Sequence, residues 1–221
     1  MRYILIPVKH LGHAKERLAP LMSQVERARL AELMLLSTLE IATQARADRI
    51  AMVTLFEPAI VLARRYGIEV IIEQEQYSES RSIDYATGQL VRAGATSVLR
   101  LPIDLPLLRV EDIDLILDHD RTLPSAVLVP SRDGTGTNAL LRRPGDIFKS
   151  HFGPESCSKH LAAAEKAGID CEVMRLRRIA LDIDEIDDLK MLLETGQGTP
   201  IHDLLEEMKI PQRLKRAPSS E

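Results

Sequence analysis

Three carboxylates in two short segments are the residues best suited to chemistry. Asp104 lies in Leu101-Pro102-Ile103-Asp104-Leu105-Pro106-Leu107-Leu108, and Asp182 and Asp184 lie in Leu181-Asp182-Ile183-Asp184. An acidic side chain among so many apolar neighbours is costly unless it has a partner. Pro102 and Pro106 stop the preceding strand and stiffen the backbone around Asp104. Alternate residues of a strand point the same way, so Asp182 and Asp184 share a face while Leu181 and Ile183 turn to the core. Two like charges side by side raise each other's pKa unless a cation sits between them. Mg²⁺ suits such a set, because it is held by a few carboxylates together with substrate phosphates. Each carboxylate also has a plainer explanation: Asp104 capping a helix that begins near Val110, and Asp184 capping the helix that follows it.

Groups that favour an anion accompany these carboxylates. Lys9, Lys15 and Arg17 follow the first strand and would neutralise a triphosphate. The glycines of 132–138 expose backbone N–H groups, which suits an anionic ligand. In Phe152-Gly153-Pro154-Glu155-Ser156, Gly153 allows close backbone approach and Ser156 opens a helix, a favourable place for negative charge. A solvated loop, a hairpin turn and an ordinary helix cap are the respective alternatives. The phosphate fingerprints GxxxxGK[ST] and GxGxxG are absent. His10, His13, His119, His151, His160 and His202 show no metal spacing; His160 is a candidate for supporting the site from behind. No arrangement indicates covalent catalysis. Taken together, the set describes a nucleoside triphosphate, a divalent metal and a second anionic substrate.

The elements that must position these residues alternate between strand and helix. Strands are expected at 2–8, 49–55, 68–72, 97–101, 126–129, 139–142 and 171–176, with 181–184 extended as a strand. Helices are expected at 24–44, 58–66, 82–93, 110–118, 156–167 and 187–193. Ser23 and Glu26 form a capping box at the first helix. Such alternation means βαβ units and a mainly parallel sheet, whose ligands bind beyond the carboxyl ends of the strands. Residues from about Pro211 onward read as a polar, frayed tail.

Composition narrows the function classes. The chain has 221 residues, 45% hydrophobic and 28% charged, with a formal net charge of −4. That length supports a sizeable core, and the acidic balance argues against a nucleic-acid partner. Aromatics are 3% and Trp is absent, so stacking platforms for single strands are not expected. Cys157 and Cys171 have no zinc spacing and read as reduced thiols. No apolar run reads as a signal peptide or membrane span, so a cytoplasmic protein is expected.

Five segments, in this order, resemble the CofC-type guanylyltransferases of deazaflavin coenzyme F(420) biosynthesis. They are Ile6-Pro7-Val8-Lys9 with Ala14-Lys15-Glu16-Arg17-Leu18, then 101–108, then Gly136-Thr137-Asn138-Ala139-Leu140. Phe152-Gly153-Pro154-Glu155-Ser156 with His160 follows, and last Leu181-Asp182-Ile183-Asp184 with Asp188-Leu189. The resemblance spans about residues 1–200. It implies an α/β fold like the nucleotide-diphosphosugar transferases, a single-domain, Rossmann-like, mainly parallel sheet with helices on both faces. That domain would occupy 1–210, with 211–221 a disordered tail. It implies transfer of GMP from GTP to the phosphate of a three-carbon acid: phosphoenolpyruvate in bacterial members, 2-phospho-L-lactate in archaeal ones, 3-phospho-D-glycerate in a few. Phosphoenolpyruvate is the expected acceptor. The family's metal ligands match Asp104, Asp182 and Asp184, and its acceptor residues match Thr137, Gly153 and Ser156. Lys9, Lys15 and Arg17 are expected at the nucleotide phosphates, with Mg²⁺ as cofactor. Where members often carry Gly-Leu-Asn, this chain has Ser82-Ile83-Asp84, which places Asp84 near the nucleotide and ties base choice to that departure. A molybdopterin-type nucleotidyltransferase is the nearest rival, though the chain lacks its Gly-rich N-terminal loop. A non-catalytic nucleotide-binding protein is the rival of another class. Oligomeric state is open, a homodimer included.

Overall fold

A computed structural model of the chain describes residues 1–73, 75, 77–119 and 123–216. Its sheet has seven strands: β1 (Arg2–Val8), β2 (Arg49–Thr54), β3 (Glu69–Ile71), β4 (Ser97–Arg100), β5 (Ser125–Pro130), β6 (Thr137–Arg143) and β7 (Asp170–Val173). Their spatial order is β3-β2-β1-β4-β6-β5-β7. Only β6 runs against its neighbours; the β1–β2, β1–β4, β2–β3 and β5–β7 pairs are parallel. The chain leaves β1 toward β2 and β3, then returns to place β4 on the other side of β1. That reversal opens a crevice at the carboxyl ends of β1 and β4, where open α/β sheets bind ligands.

The helices are α1 (Gln24–Ala42), α2 (Glu57–Arg65), α3 (Glu79–Arg92), α4 (Val110–Leu117), α5 (Ser156–Lys166), α6 (Arg177–Ala180), α7 (Ile186–Thr195), α8 (Pro200–Glu207) and α9 (Ile210–Leu214). They cover both faces, and the strand period divides the core between them. Ile4, Ile6 and Val8 join the large cluster that includes Leu30, Met34 and Leu39 of α1. Tyr3 and Leu5, on the opposite face, pack with Ile83, Ala86 and Leu90 of α3. A third cluster sets Leu128 and Leu140 against Cys157 and Ala164 of α5. The Ser23–Glu26 capping box is present, with both reciprocal hydrogen bonds. Among the described residues no helix is long and apolar enough to cross a membrane.

Several boundaries differ from expectation for identifiable reasons. Helix α3 begins at Glu79 rather than 82, because Ser78 caps it by accepting the Arg81 N–H. The expected loop at 9–20 contains two 3₁₀ turns, Leu11–His13 and Glu16–Leu18. The 181–184 segment is extended but belongs to no sheet; its Ile183 N–H donates to the Asp104 carbonyl at 3.1 Å. The expected tail begins inside a helix. Ile210 of α9 is fully buried, and Arg213 donates to Glu26 of α1 at 3.0 Å and to the Leu21 carbonyl at 3.1 Å. Residues 217–221 of that tail lie outside the described residues.

Candidate active site

The loop after β1 and the loop after β4 meet at the crevice. Leu11 and Leu18, both buried, anchor the two 3₁₀ turns, and Lys15 between them has a left-handed backbone, φ 57°. A non-glycine residue pays about 1–2 kcal/mol for that conformation, which persists only where surrounding structure demands it. Here the turn aims the ammonium inward. Lys15 Nζ donates to Asp104 Oδ2 at 2.7 Å and to Asp184 Oδ1 at 2.9 Å. Burial opposes the charged ammonium, but Asp104 and Asp184 outweigh it and raise the Lys15 pKa above its ordinary range. Burial also opposes the charged Asp104, and Lys15 outweighs it to hold that carboxyl below the usual range.

Asp104, Asp182 and Asp184 each present a ligand oxygen, all within 4.8 Å of one another. Asp182 is fixed by Asn138, whose side-chain amide donates to Asp182 Oδ1 at 3.0 Å and to the Ile179 carbonyl at 2.8 Å. Burial, and then the neighbouring Asp104 charge, push the Asp182 carboxyl up to about 6. Among the described residues Asp182 is thus a crowded carboxyl with no ion pair of its own, the state a bound divalent ion would relieve. Asp188 accepts the backbone N–H of Asp184 at 3.0 Å and of Glu185 at 2.8 Å, which sets the direction of the segment as it enters α7. Glu185 occupies the cap of α7 and Arg109 the cap of α4. Neither Asp184 nor Asp104 is therefore spent on capping.

Two cavities flank this cluster. One, of about 500 Å³, lies beyond β1 and is lined by Pro7, Lys9, His10, Ala31 and Met34. The other, of about 620 Å³, is lined by the 131–138 loop, by Phe152, Gly153 and Ser156, and by Asp182. Asp104, Asp184, Glu79, Arg100 and Pro102 line both. Asp104 and Asp184 therefore stand on the partition between two chambers, with Asp182 on its larger side, where a group could pass from one to the other. The larger chamber carries eight carboxylates against three guanidinium groups, Arg17, Arg100 and Arg132. An anionic ligand there needs added positive charge, which a divalent cation on the aspartates would supply. The donor set, all oxygen and partly buried, fits Mg²⁺.

Most of the residues singled out in the sequence converge here. Thr137, Gly153 and Ser156 line the larger chamber, Lys9 the smaller, and Gly153 has φ +113°, a conformation that favours glycine. Arg17 reaches the rim of the larger chamber, exposed and paired with Glu185 at 3.0 Å. Asp84 stands apart. Its Oδ1 accepts the Ser150 N–H at 3.1 Å and lies 3.6 Å from the Arg142 guanidinium, and it lines neither chamber. A buried arginine needs a counter-charge, so the carboxylate of the Ser82-Ile83-Asp84 departure is engaged in the core.

Arg100, on the partition, was not singled out by its sequence. It donates to the Thr137 and Asn138 carbonyls at 3.2 Å, pairs with Glu79, and stacks over the Phe152 ring at 4.2 Å. It is 7% exposed, and an arginine ending an apolar strand was the one available signal. Asn138 stood inside a quoted motif, but its contact with Asp182 depends on a 44-residue separation.

The sequence matches the family model "Guanylyl transferase CofC like" over residues 1–221. A phosphoenolpyruvate guanylyltransferase of Conexibacter woesei is 34% identical over 194 residues, 87% of this chain and 87% of that one. A 3-phospho-D-glycerate guanylyltransferase of Phenylobacterium zucineum is 33% identical over 206 residues, 91% of this chain and 94% of that one. Among solved structures, a protein of Desulfovibrio desulfuricans named as a nucleotide-diphospho-sugar transferase superposes with a TM-score of 0.79 at 17% identity. That match covers 96% of this chain and 97% of the other, and shows likeness of fold.

Proposed function

The chain belongs to the CofC-like guanylyl transferase family, and from that premise we propose that it transfers GMP from GTP to the phosphate of phosphoenolpyruvate, releasing pyrophosphate. The observation that carries this reading is the aspartate cluster on the partition between two chambers. The smaller chamber, with Lys9 at its mouth, would take the nucleotide. The larger, with Thr137, Gly153 and Ser156, would take the acceptor. The phosphoenolpyruvate guanylyltransferase of Conexibacter woesei, 34% identical, supports phosphoenolpyruvate; 3-phospho-D-glycerate and 2-phospho-L-lactate are the competing acceptors. The product would feed deazaflavin coenzyme synthesis.

An acceptor phosphate oxygen attacks the α-phosphorus of GTP, a new P–O–P bond forms, and the bond to the β-phosphate oxygen breaks. That acceptor is ionised at neutral pH, so the protein need not supply a general base. Its task is positioning and charge neutralisation. Asp104, Asp182 and Asp184 would hold Mg²⁺, which when bound would supply positive charge to the reacting phosphates. Lys9 and Lys15, which line the smaller chamber, would neutralise the β- and γ-phosphates and the departing pyrophosphate; Arg17, expected beside them, lines the larger chamber instead. Arg100 holds the partition in shape through the Thr137 and Asn138 carbonyls.

The test is pyrophosphate release from the purified chain with Mg²⁺ and GTP, adding each of the three acids in turn, with ATP and CTP as controls. Release that requires GTP and phosphoenolpyruvate is expected. Release with another of the acids reassigns the acceptor. Silence with all three, in folded protein, overturns the reading in favour of a non-catalytic nucleotide binder.

A further inference from the structure

His160 lies on α5 behind the larger chamber and is fully buried. Both of its ring nitrogens are engaged. Nε2 is 2.8 Å from the His151 backbone nitrogen, whose N–H donates to it. Nδ1 is 3.0 Å from Thr137 Oγ1. A nitrogen that accepts an N–H carries no proton, so a neutral imidazole here has its proton on Nδ1. Thr137 Oγ1 can then only accept from His160, whose Nδ1–H also faces the Ser156 carbonyl one helical turn back. The threonine oxygen has no other side-chain or backbone partner among the described residues, and Thr137 lines the chamber. Its own hydroxyl hydrogen is therefore left to donate to whatever the chamber holds. Burial, and then the nearby Arg142 charge, pull the His160 pKa down to about 3, so the ring stays neutral in the working range.

We propose that His160 is a positioning residue: it fixes the Thr137 hydroxyl as a hydrogen-bond donor to the acceptor substrate and pins the 151–153 segment beside it. The proposal rests on the assignment of the larger chamber to the acceptor. Phosphate and carboxylate oxygens accept hydrogen bonds and, when ionised, donate none. A threonine with a freely turning hydroxyl would present a lone pair to such a ligand part of the time. Held by Nδ1–H, it presents a hydrogen, and favours an ionised oxygen over a hydroxyl at that place. The same ring, through Nε2, holds the His151 N–H, and its edge contact with Phe152 at 4.7 Å completes the support of the loop that carries Gly153.

Two measurements test this. Long-range ¹H–¹⁵N correlation on the full chain reads the His160 tautomer directly and needs no substrate. An Nδ1–H tautomer, unchanged from pH 5 to 8, is expected; an Nε2–H or protonated ring overturns the proposal and leaves the acceptor assignment untouched. Steady-state kinetics then separate the two nitrogens. His160→Asn keeps a donor near the Nδ1 place, and His160→Gln keeps an acceptor near the Nε2 place. His160→Gln should raise the acceptor KM by about 10-fold or more, the scale of a lost hydrogen bond to a charged group, with the KM for GTP unchanged. His160→Asn, which keeps the donor to Thr137 but gives up the acceptor for the His151 N–H, should restore part of that loss. In a Thr137→Val background, His160→Gln should add little, because the hydroxyl it governs is gone. A full additional effect in that background overturns the proposal. An unchanged acceptor KM in Thr137→Val itself, with the expected tautomer in place, overturns the acceptor assignment and the proposal with it.

Discussion

Lys15 Nζ lies 2.7 Å from Asp104 and 2.9 Å from Asp184, joining the loop after β1 to two carboxylates 89 and 169 residues away. The ammonium is the cation the cluster holds before any metal arrives. Lys15→Met should therefore strand two carboxylates. Removing one partner of a buried pair costs about 3–5 kcal/mol; Asp184 is 52% exposed, so about 2 kcal/mol is expected here after solvent screening. Thermal unfolding without metal should show the loss. Saturating Mg²⁺ should raise the variant's Tm more than that of the unaltered chain, since binding to the folded state alone is stabilising. Equal shifts in the two proteins would mean that the ammonium and the metal do not compete for these oxygens.

Asp104→Asn tests the cluster itself. The amide nearly matches the carboxylate in size but removes its negative charge. Turnover should fall by orders of magnitude, in line with loss of electrostatic stabilisation at the reacting phosphates (about 10²–10³ for one such group). The far-ultraviolet circular dichroism should be unaltered. Near-normal pyrophosphate release in this variant would remove Asp104 from the reaction.

Asn138 should matter through Asp182 rather than through substrate. Its amide ties Asp182 Oδ1 to the Ile179 and Ala180 carbonyls at 2.8 and 3.2 Å. Asn138→Ala leaves these acceptors unpaired, at about 1–3 kcal/mol, and frees the carboxylate to turn. Divalent-ion affinity, followed with Mn²⁺ by calorimetry, should weaken by about 10-fold or more, the range seen when a group orienting a metal ligand is lost. Unchanged affinity would show that Asp182 holds its place without the amide.

The elements that sequence alone exposes are those whose signals are local. Tyr3–Val8 of β1 is an unbroken apolar run because both faces of the strand are covered, and Ser23 with Glu26 is a cap read within four residues. The start of α3 is silent in the sequence because Glu79, Ser80 and Arg81 carry no apolar period; only the Ser78 cap marks them. Helix α9 is not legible locally because Arg213 finds Glu26 across 187 residues. The same limit governs the site. The aspartates stand out by their apolar neighbours, whereas Lys15 as their bridge and Asn138 as the holder of Asp182 exist only through long-range contacts. Asp84 illustrates the converse. Its place in the motif pointed to nucleotide, but Arg142, 1% exposed and in need of a counter-charge, draws on it.

Metal binding should depend on pH through Asp182. Its carboxyl is raised from 3.8 to about 6, first by burial and then by Asp104. Asp104 is held low, with Lys15 outweighing its burial, and so stays ionised throughout this window. Between about pH 4 and 6 the folded chain retains a proton on Asp182 that the unfolded chain has released. On account of this group, stability of the metal-free protein falls as pH rises through that range. A bound cation reverses the sign, because it requires the ionised carboxylate and displaces the proton. Mn²⁺ affinity should therefore rise by about tenfold per pH unit up to about pH 6 and level off above it, the slope of one displaced proton. Calorimetric titrations at pH 5, 6, 7 and 8, in buffers of differing ionisation enthalpy, measure both the affinity and the proton count. An affinity flat from pH 5 to 8 with no proton released would remove Asp182 from the metal site and leave Asp104 and Asp184 to hold the ion.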